Sequence, residues 1–238
     1  MHDTRAKNHA DPTLRWGGLA GIGGSILMLF TFGFVAAFVG MDITPEQSLT
    51  TFPQIWAART VENSLYLGVL LLWLVHALAL HRALRRTNAT LALVGTALSI
   101  LGLVLLAAGA LPHVATAPLA DLYHAPGATP QDQATLVLLW HGIDAMFNAL
   151  LHTGLVILPL GLIALGKAML GAPGYGPRIG GASIALGAAG LAAAGAILVG
   201  VTDLAAVGVF ALIGFHLIGG RRSLKLARVP HSRTLAGA

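Results

Sequence analysis

Six long apolar runs dominate this sequence of 238 residues and leave few folds open to it. The runs cover residues 17–40, 62–81, 89–111, 135–166, 179–201 and 204–220. An α-helix needs about 20 mostly apolar residues to cross the hydrocarbon core of a bilayer, and these runs meet or approach that length. Only 10% of the residues are charged, against about a quarter in a soluble domain. We therefore predict an all-α, polytopic membrane protein with a six-transmembrane-helix bundle.

The basic residues predict the orientation of this bundle. Of the 14 Lys and Arg residues, only Arg59 lies outside the N-terminal segment, the second-to-third and fourth-to-fifth connections, and the C-terminal tail. Those four regions share one side of a six-span protein, and loops rich in Lys and Arg remain in the cytoplasm. We predict an N-in/C-in protein with a cytoplasmic segment 1–16, a transmembrane domain 17–220 and a basic cytoplasmic tail 221–238.

Composition also excludes several functional classes. The net charge of +5 and the pI of about 10.2 are compatible with nucleic-acid binding, but the cations flank the apolar runs, as membrane-flanking residues do. We therefore predict no nucleic-acid partner. The sequence has no cysteine, which removes disulfides and thiolate metal sites. It also has no nucleotide-binding glycine motif and no GxSxG hydrolase motif.

The connections on the predicted outer side contain two helix-start signals. Thr44-Pro45-Glu46-Gln47 and Thr129-Pro130-Gln131-Asp132 each place a capping hydroxyl before a proline at the first helical position. The first predicts a short interfacial helix, and the second predicts the start of the fourth span. Segment 112–133, between the third and fourth runs, contains four prolines. We therefore predict a loop that is ordered by turns or crosses the mouth of the bundle.

Small residues predict close contacts between the helices. Gly95, Gly102 and Gly109 recur at intervals of seven in the third run, and Gly17 and Gly21 form a GxxxG arrangement in the first. Such residues let transmembrane helices approach closely. They serve either packing within one chain or a dimer face, so an oligomer is an open alternative.

A polar stripe in the fourth run is the strongest chemical signal. His141, Asp144, Asn148 and His152 follow one another at intervals of three, four and four, which places them on one helix face. Ionisable groups at membrane depth normally face a partner or a cavity. We therefore predict an outward-facing polar pocket. Three further polar residues predicted at the same end could join it: Glu62, His113 and Asp203.

The stripe is open to three interpretations. The histidines could form a hydrogen-bonded seam with Asp144 and Asn148. His141, Asp144 and His152 could instead bind zinc or another divalent metal through nitrogen and oxygen, although their spacing is not a recognised metal motif. A site for a small molecule or a proton is the third interpretation.

A second histidine pair is predicted at greater depth. His76 lies six residues before Arg82, and His216 lies five residues before Arg221, so both fall at a similar depth on the predicted cytoplasmic half. Two facing histidines at one depth could ligate a haem. Alternatively, each forms a hydrogen bond with a neighbouring helix.

Five short segments resemble one family of membrane proteins. They are Gly-Gly-Leu-Ala-Gly at 17–21, Asn-Ser-Leu-Tyr-Leu-Gly at 63–68, Leu-Arg-Arg-Thr-Asn at 84–88, Leu-Pro-Leu-Gly at 158–161 and Gly-Tyr-Gly-Pro-Arg-Ile-Gly-Gly at 174–181. With these, the chain resembles the bacterial six-span family catalogued as domain of unknown function 4386. The resemblance implies a six-helix fold in a bacterial cell (inner) membrane. It implies no activity and no catalytic residues.

The functional expectation is a structural or small-molecule-responsive membrane module with its polar pocket on the fourth helix. One alternative is a membrane-embedded, metal-dependent enzyme resembling a hydrolase, in which zinc activates water and Asp144 or Glu62 serves as base or ligand. Another is a haem-binding or proton-transfer protein that uses His76 and His216. The expected partners are the lipid bilayer and a small-molecule ligand. Whether the chain is an enzyme is left open.

Overall fold

Helices make up nearly all of the computed structural model, which describes residues 11–40, 44–110, 112–201 and 204–228. Within these ranges there is no strand. The helices of the described chain are α1 Pro12–Phe38, α2 Pro45–Thr50, α3 Phe52–Leu84, α4 Ala89–Ala110, α5 Pro112–Tyr123, α6 Pro130–Leu170, α7 Gly176–Leu198 and α8 Ala205–Ala227.

Six of the helices in the described ranges, α1, α3, α4, α6, α7 and α8, are long and apolar enough to cross a bilayer. Their mean hydropathy over the best window runs from 1.2 in α8 to 2.5 in α4. Each overlaps one of the six runs found in the sequence, so the prediction of an all-α, six-span membrane protein is confirmed. The N-in/C-in orientation stays a prediction.

Both predicted helix starts are confirmed, and each is a reciprocal capping box. The Asp132 amide donates to the Thr129 hydroxyl at 3.2 Å, and the Thr129 amide donates to the Asp132 carboxylate at 2.9 Å. Thr44 and Gln47 make the same exchange at 3.2 and 3.0 Å. These bonds satisfy amides that a helix N-terminus leaves without a partner.

Glycines bring α4 and α6 into direct backbone contact. A Cβ atom added to Gly161 would lie 2.6 Å from the Ser99 hydroxyl, and one added to Gly102 would lie 2.5 Å from Leu158 Cγ. A Cβ atom on Gly95 would lie 2.8 Å from the Leu165 amide nitrogen. These separations leave no room for a side chain at the glycines. The small residues of the third span are therefore used for packing within the chain.

Helix α1 packs on α3 and α8 in the same way. Gly17 faces Ala79 of α3, and a Cβ atom on Gly18 would lie 2.8 Å from the carbonyl oxygen of Gly220 in α8. The buried Ser25 hydroxyl contacts the α8 backbone, 3.1 Å from the Ile213 carbonyl oxygen. The glycines of the first span thus join the first, second and sixth spans.

Helix α6 extends well beyond its neighbours. Its 41 residues correspond to about 60 Å, whereas the hydrocarbon core of a bilayer is about 30 Å thick. A Cβ atom on Gly109, near the end of α4, would lie 3.6 Å from both Leu150 Cβ and the Leu151 amide nitrogen. Residues 130–147 of α6 therefore project past the end of α4.

A small cap surrounds this projection and consists of α2, α5 and residues 130–147 of α6. Leu49, Leu119, Ala120 and Trp140 form its own buried cluster. The prediction of a loop at 112–133 was therefore incomplete, because 12 of these residues form α5. Pro118 lies inside this helix. Because an internal proline disfavours a helix, the sequence predicted a loop here.

Candidate functional site

The polar stripe lies where α6 leaves the bundle. His141 and Asp144 belong to the projecting part of α6, whereas Asn148 and His152 lie beside the end of α4. His141 is exposed, and the other three residues are half-buried. The stripe therefore runs from the cap towards the membrane-spanning part of the helix.

His141 joins α6 to the short helix α2. Its Nε2 atom lies 3.2 Å from Oε1 of Glu46, and the two side chains are 48% and 57% exposed. Hydrogen bonds from the backbone of Glu46, from the Thr44 side chain and from His141 lower the pKa of Glu46 below its ordinary value. The pair is an ion pair when the imidazole is protonated and a hydrogen bond when it is neutral.

Asp144 and Asn148 are linked one helical turn apart. The Asn148 amide donates to an oxygen of the Asp144 carboxylate at 3.0 Å. This bond orients the carboxylate and matches the hydrogen-bonded seam that the spacing suggested. It occupies one acceptor position of Asp144 and leaves others for a partner, since an ionised carboxylate has about four acceptor sites.

The other predicted pocket residues have different surroundings. Glu62 pairs with Arg59 of the same helix at 2.9 Å, and both side chains are largely buried. His113 lies in α5, but its side chain is outside the described part of the structure. Asp203 also lies outside the described residues. Of the stripe residues, the structure therefore gives partners to His141, Asp144 and Asn148.

Glu46 was not predicted to join the stripe. The sequence placed it beside a helix start on the predicted outer side, 95 residues before His141. No local pattern indicates that α2 folds back onto α6. The contact between α2 and α6 comes from the buried cluster of the cap, which contains Leu49 of α2 and Trp140 of α6.

The three residues of the predicted metal site do not converge. Because α6 is continuous, His141 and His152 lie about 16 Å apart along its axis. Ligands of one zinc ion each lie about 2 Å from it, so the two imidazoles cannot share an ion. Across the described residues, no group of three His, Cys, Asp or Glu side chains could hold a metal. The stripe alone offers His141 and Asp144 as neighbouring ligands.

The second histidine pair is in direct contact. Nδ1 of His76 lies 2.8 Å from Nδ1 of His216, and the two residues are 0% and 2% exposed. The Trp73 ring stacks on His216 with its centroid 4.5 Å away and the planes 3° apart. The structure therefore brings together the two residues that the sequence placed at one depth.

Glycines make room for this pair. A Cβ atom added to Gly21 of α1 would lie 2.8 Å from His76 Nδ1 and 2.8 Å from the His216 carbonyl oxygen. A Cβ atom on Gly219 would lie 3.1 Å from His76 Cε1. The imidazoles thus lie at the contact of α1, α3 and α8 and are enclosed by backbone.

This geometry fits a hydrogen-bonded pair of imidazoles better than a haem site. A metal between two imidazoles needs ring nitrogens about 4 Å apart, whereas these nitrogens are in hydrogen-bond contact. One ring must donate its Nδ1 proton and the other must accept it, so the two tautomers are complementary. Within the described residues, His76 Nε2 and Trp73 Nε1 have no hydrogen-bond partner.

Comparison with known proteins agrees with the fold. The family model described as Domain of unknown function (DUF4386) matches residues 22–219. Searches of curated proteins and of solved structures found no match to the chain. The matched range contains the polar stripe and both residues of the buried histidine pair. It also covers most of the chain, which confirms the resemblance: this multi-pass membrane protein belongs to the family described as Domain of unknown function (DUF4386).

Proposed function

We propose that this protein is a small-molecule-responsive membrane module whose ligand binds at the stripe of α6, beneath the cap. The contact between His141 and Glu46 carries the proposal. It joins two helices through an exposed, titratable pair at the end of a line of half-buried polar residues. A ligand that competes for either side chain would release or tighten α2 against α6.

The chemistry of the stripe favours a ligand that donates hydrogen bonds. Ionised Asp144 and Glu46 are acceptors only, and Glu62, the other carboxylate predicted for the pocket and described in the structure, is already paired with Arg59. The acceptor capacity left on Asp144 suits an ammonium group, because charge-assisted hydrogen bonds are roughly twice as strong as neutral ones. We therefore infer a small amine as the ligand class.

The same proposal includes the placement of the protein. The segregation of Lys and Arg supports an N-in/C-in orientation. The resemblance to a bacterial family supports the bacterial inner membrane. In that orientation the cap and the stripe face the outside of the cell, where they would meet extracellular or periplasmic amines.

Thermal unfolding of the detergent-solubilised protein tests the ligand class, with ethanolamine and putrescine as probes. At about a hundred times the Kd, a bound amine should raise the Tm by about 5 °C or more. Tryptophan emission follows the same titration, and Trp140, one of the four tryptophans, lies in the buried cluster of the cap. Asp144→Asn should weaken binding about tenfold or more, because it removes the charged acceptor.

Asp121→Asn is the matched control, since Asp121 is an exposed carboxylate of α5 and the exchange removes the same charge. It should respond to amines as the wild type does. A titration with Zn²⁺ alone separates the metal alternative. Stabilisation by zinc without stabilisation by either amine, or an equal response of the Asp144→Asn variant, would refute the proposal.

A further inference from the structure

A cavity of about 470 Å³ opens at the other end of α3 and α6. Its wall combines the start of α1, the end of α3, the connection to α4, the 172–175 turn between α6 and α7, and the last part of α8. The cavity is separate from the stripe and the cap. Its volume falls in the range of small-molecule sites, about 300–1,000 Å³.

Three arginines of the described chain line this cavity. Arg82 belongs to the last turn of α3, and Arg85 and Arg86 follow in the connection to α4. All three are exposed, and none has an ion-pair partner among the residues that the structure describes. Guanidinium groups present forked donors that match phosphate oxygens. Their convergence on one cavity therefore favours a phosphate-bearing anion.

Among the described residues, the wall contains one carboxylate, and it is already engaged. Asp11 caps the N-terminus of α1 and accepts from the amides of Thr13 and Leu14 at 2.9 and 3.4 Å. The positive end of the helix dipole partly offsets its charge. Three guanidinium groups thus face one compensated carboxylate, so the cavity has an excess of positive charge.

The part of the wall formed by the 172–175 turn is held in place by two polar contacts. Arg222 of α8 donates from Nε to the Gly174 carbonyl at 2.6 Å. The Tyr175 hydroxyl lies 3.0 Å from the Ser223 hydroxyl. Burial raises the pKa of Tyr175 to about 12, so the phenol stays neutral and adds no negative charge. The turn at 172–175 is therefore a fixed boundary of the cavity.

The wall also contains apolar side chains, among them Leu14, Ala83, Pro173 and Leu226. The cavity lies at the ends of the spanning helices, at the level where a bilayer meets water. A basic pocket between transmembrane helices at this level is suited to a lipid headgroup. The phosphate of a soluble compound presents the same oxygens.

We propose that the arginine cavity, defined by Arg82, Arg85 and Arg86, binds a phosphate-bearing anion. The guanidinium groups hold the phosphate oxygens, and the apolar side chains of the wall contact the adjoining carbon chain. The proposal concerns a site at the opposite end of α6 from the stripe, so it does not depend on the amine ligand.

Binding to the purified, detergent-solubilised chain tests the proposal with two probes. The first arm measures retention of phosphatidylglycerol against phosphatidylcholine by native mass spectrometry. The second arm titrates glycerol 3-phosphate and follows the Tm. The wild type should prefer phosphatidylglycerol if the phosphate comes from lipid and respond to glycerol 3-phosphate if it comes from a soluble compound. Replacing the three arginines with glutamine should weaken that binding at least about tenfold.

The matched control replaces Arg178, Arg221 and Arg228 with glutamine. These exposed residues carry the same charge on the same predicted side but do not line the cavity. A third variant, with lysine at 82, 85 and 86, retains charge without the guanidinium fork and should bind more weakly than the wild type. Helical circular dichroism and elution volume verify folding, and the single glutamine variants replace any triple variant that does not fold.

The outcomes separate cleanly. Specific loss in the cavity variants supports the site, and the responding probe identifies the phosphate source. Absence of binding to both probes overturns the proposal. An equal loss in the control variant also overturns it, because the effect would then be general electrostatic attraction.

Discussion

The two histidine contacts of this protein differ in nearly every physical respect. His76 and His216 are buried, meet at 2.8 Å and are enclosed by glycines of α1 and α8. His141 meets Glu46 at 3.2 Å with both side chains about half exposed. The first contact lies where three spanning helices converge, whereas the second joins a short helix to a projecting one.

This difference teaches which contact can respond to its surroundings. A buried imidazole pair has no access to solvent or ligands, and any change of size there displaces backbone. An exposed imidazole–carboxylate pair is accessible to solvent, protons and ligands, and its loss costs little. We therefore expect the buried pair to serve assembly of the bundle and the exposed pair to serve response.

The largest effect on stability should come from filling the space that Gly21 leaves beside the histidine pair. Gly21→Leu places a branched side chain where even a Cβ atom would lie 2.8 Å from His76 and from the α8 backbone. Overpacking of this kind costs about 3 kcal/mol or more, so the Tm should fall by about 10 °C or more. Thermal unfolding followed by tryptophan emission measures it.

Gly33→Ala supplies the matched control, because a Cβ atom on Gly33 of the same helix would meet nothing within 4 Å. Alanine should leave the Tm unchanged or raise it slightly through its better helix propensity. Equal destabilisation by the two substitutions would show that the contact of α1 with the histidine pair is unimportant.

A smaller effect is expected from breaking the buried hydrogen bond. His76→Leu and His216→Leu each leave one buried imidazole without its partner, at a cost of about 1–3 kcal/mol. The double variant should lose about 1 kcal/mol less than the sum of the single variants, since it strands neither ring.

The double-mutant cycle also removes the effect of the stacked Trp73 ring, because the loss of that stack appears in both His216 variants. Chemical or thermal unfolding of the four proteins provides the measurement. Strict additivity would mean that the contact between the Nδ1 atoms contributes no coupling energy.

The smallest effect should come from Glu46→Gln. Because the pKa of Glu46 is lowered in the folded protein, its contribution is fully present above its ordinary pKa and is lost as pH falls through the lowered value. Near neutral pH the substitution should lower the Tm by about 2 °C or less. The difference from wild type should vanish at strongly acid pH.

Tm measured over a pH series, with Asp121→Asn as the control in the same cap, provides this comparison. Persistence of the wild-type advantage at low pH would contradict the assignment to the ionised carboxylate. His141→Asn should reproduce the part of the effect that arises from the imidazole.

Features encoded by local sequence were predictable in this protein. The length of the uncharged runs predicted the six spans, and a threonine followed by a proline predicted the starts of α2 and α6. The seven-residue glycine spacing correctly indicated close packing of the third span. Similar distances from the flanking arginines even placed His76 and His216 at a similar depth, where they meet.

Contacts between segments that are far apart in the sequence were not predictable. In the cap, α2 packs on α6, and in the arginine cavity the start of α1 lies beside the end of α3. Both arrangements join segments far apart in sequence, and hydrophobic spacing within one helix contains no information about its neighbours. The same limit explains the predicted metal trio, whose shared helix face suggested convergence although its ends are about 16 Å apart.

Pro159 makes α6 easier to bend at one position than elsewhere along its length. Pro159 cannot donate a backbone hydrogen bond, so bending of this long rod concentrates in the turn before it. The ring of Pro159 rests on the bare backbone of α7, 3.0 Å from where a Cβ atom of Gly190 would be. A sideways push on the projecting end would therefore bend α6 in this turn and leave in place the segment 161–166, which is packed tightly on α4 and α7.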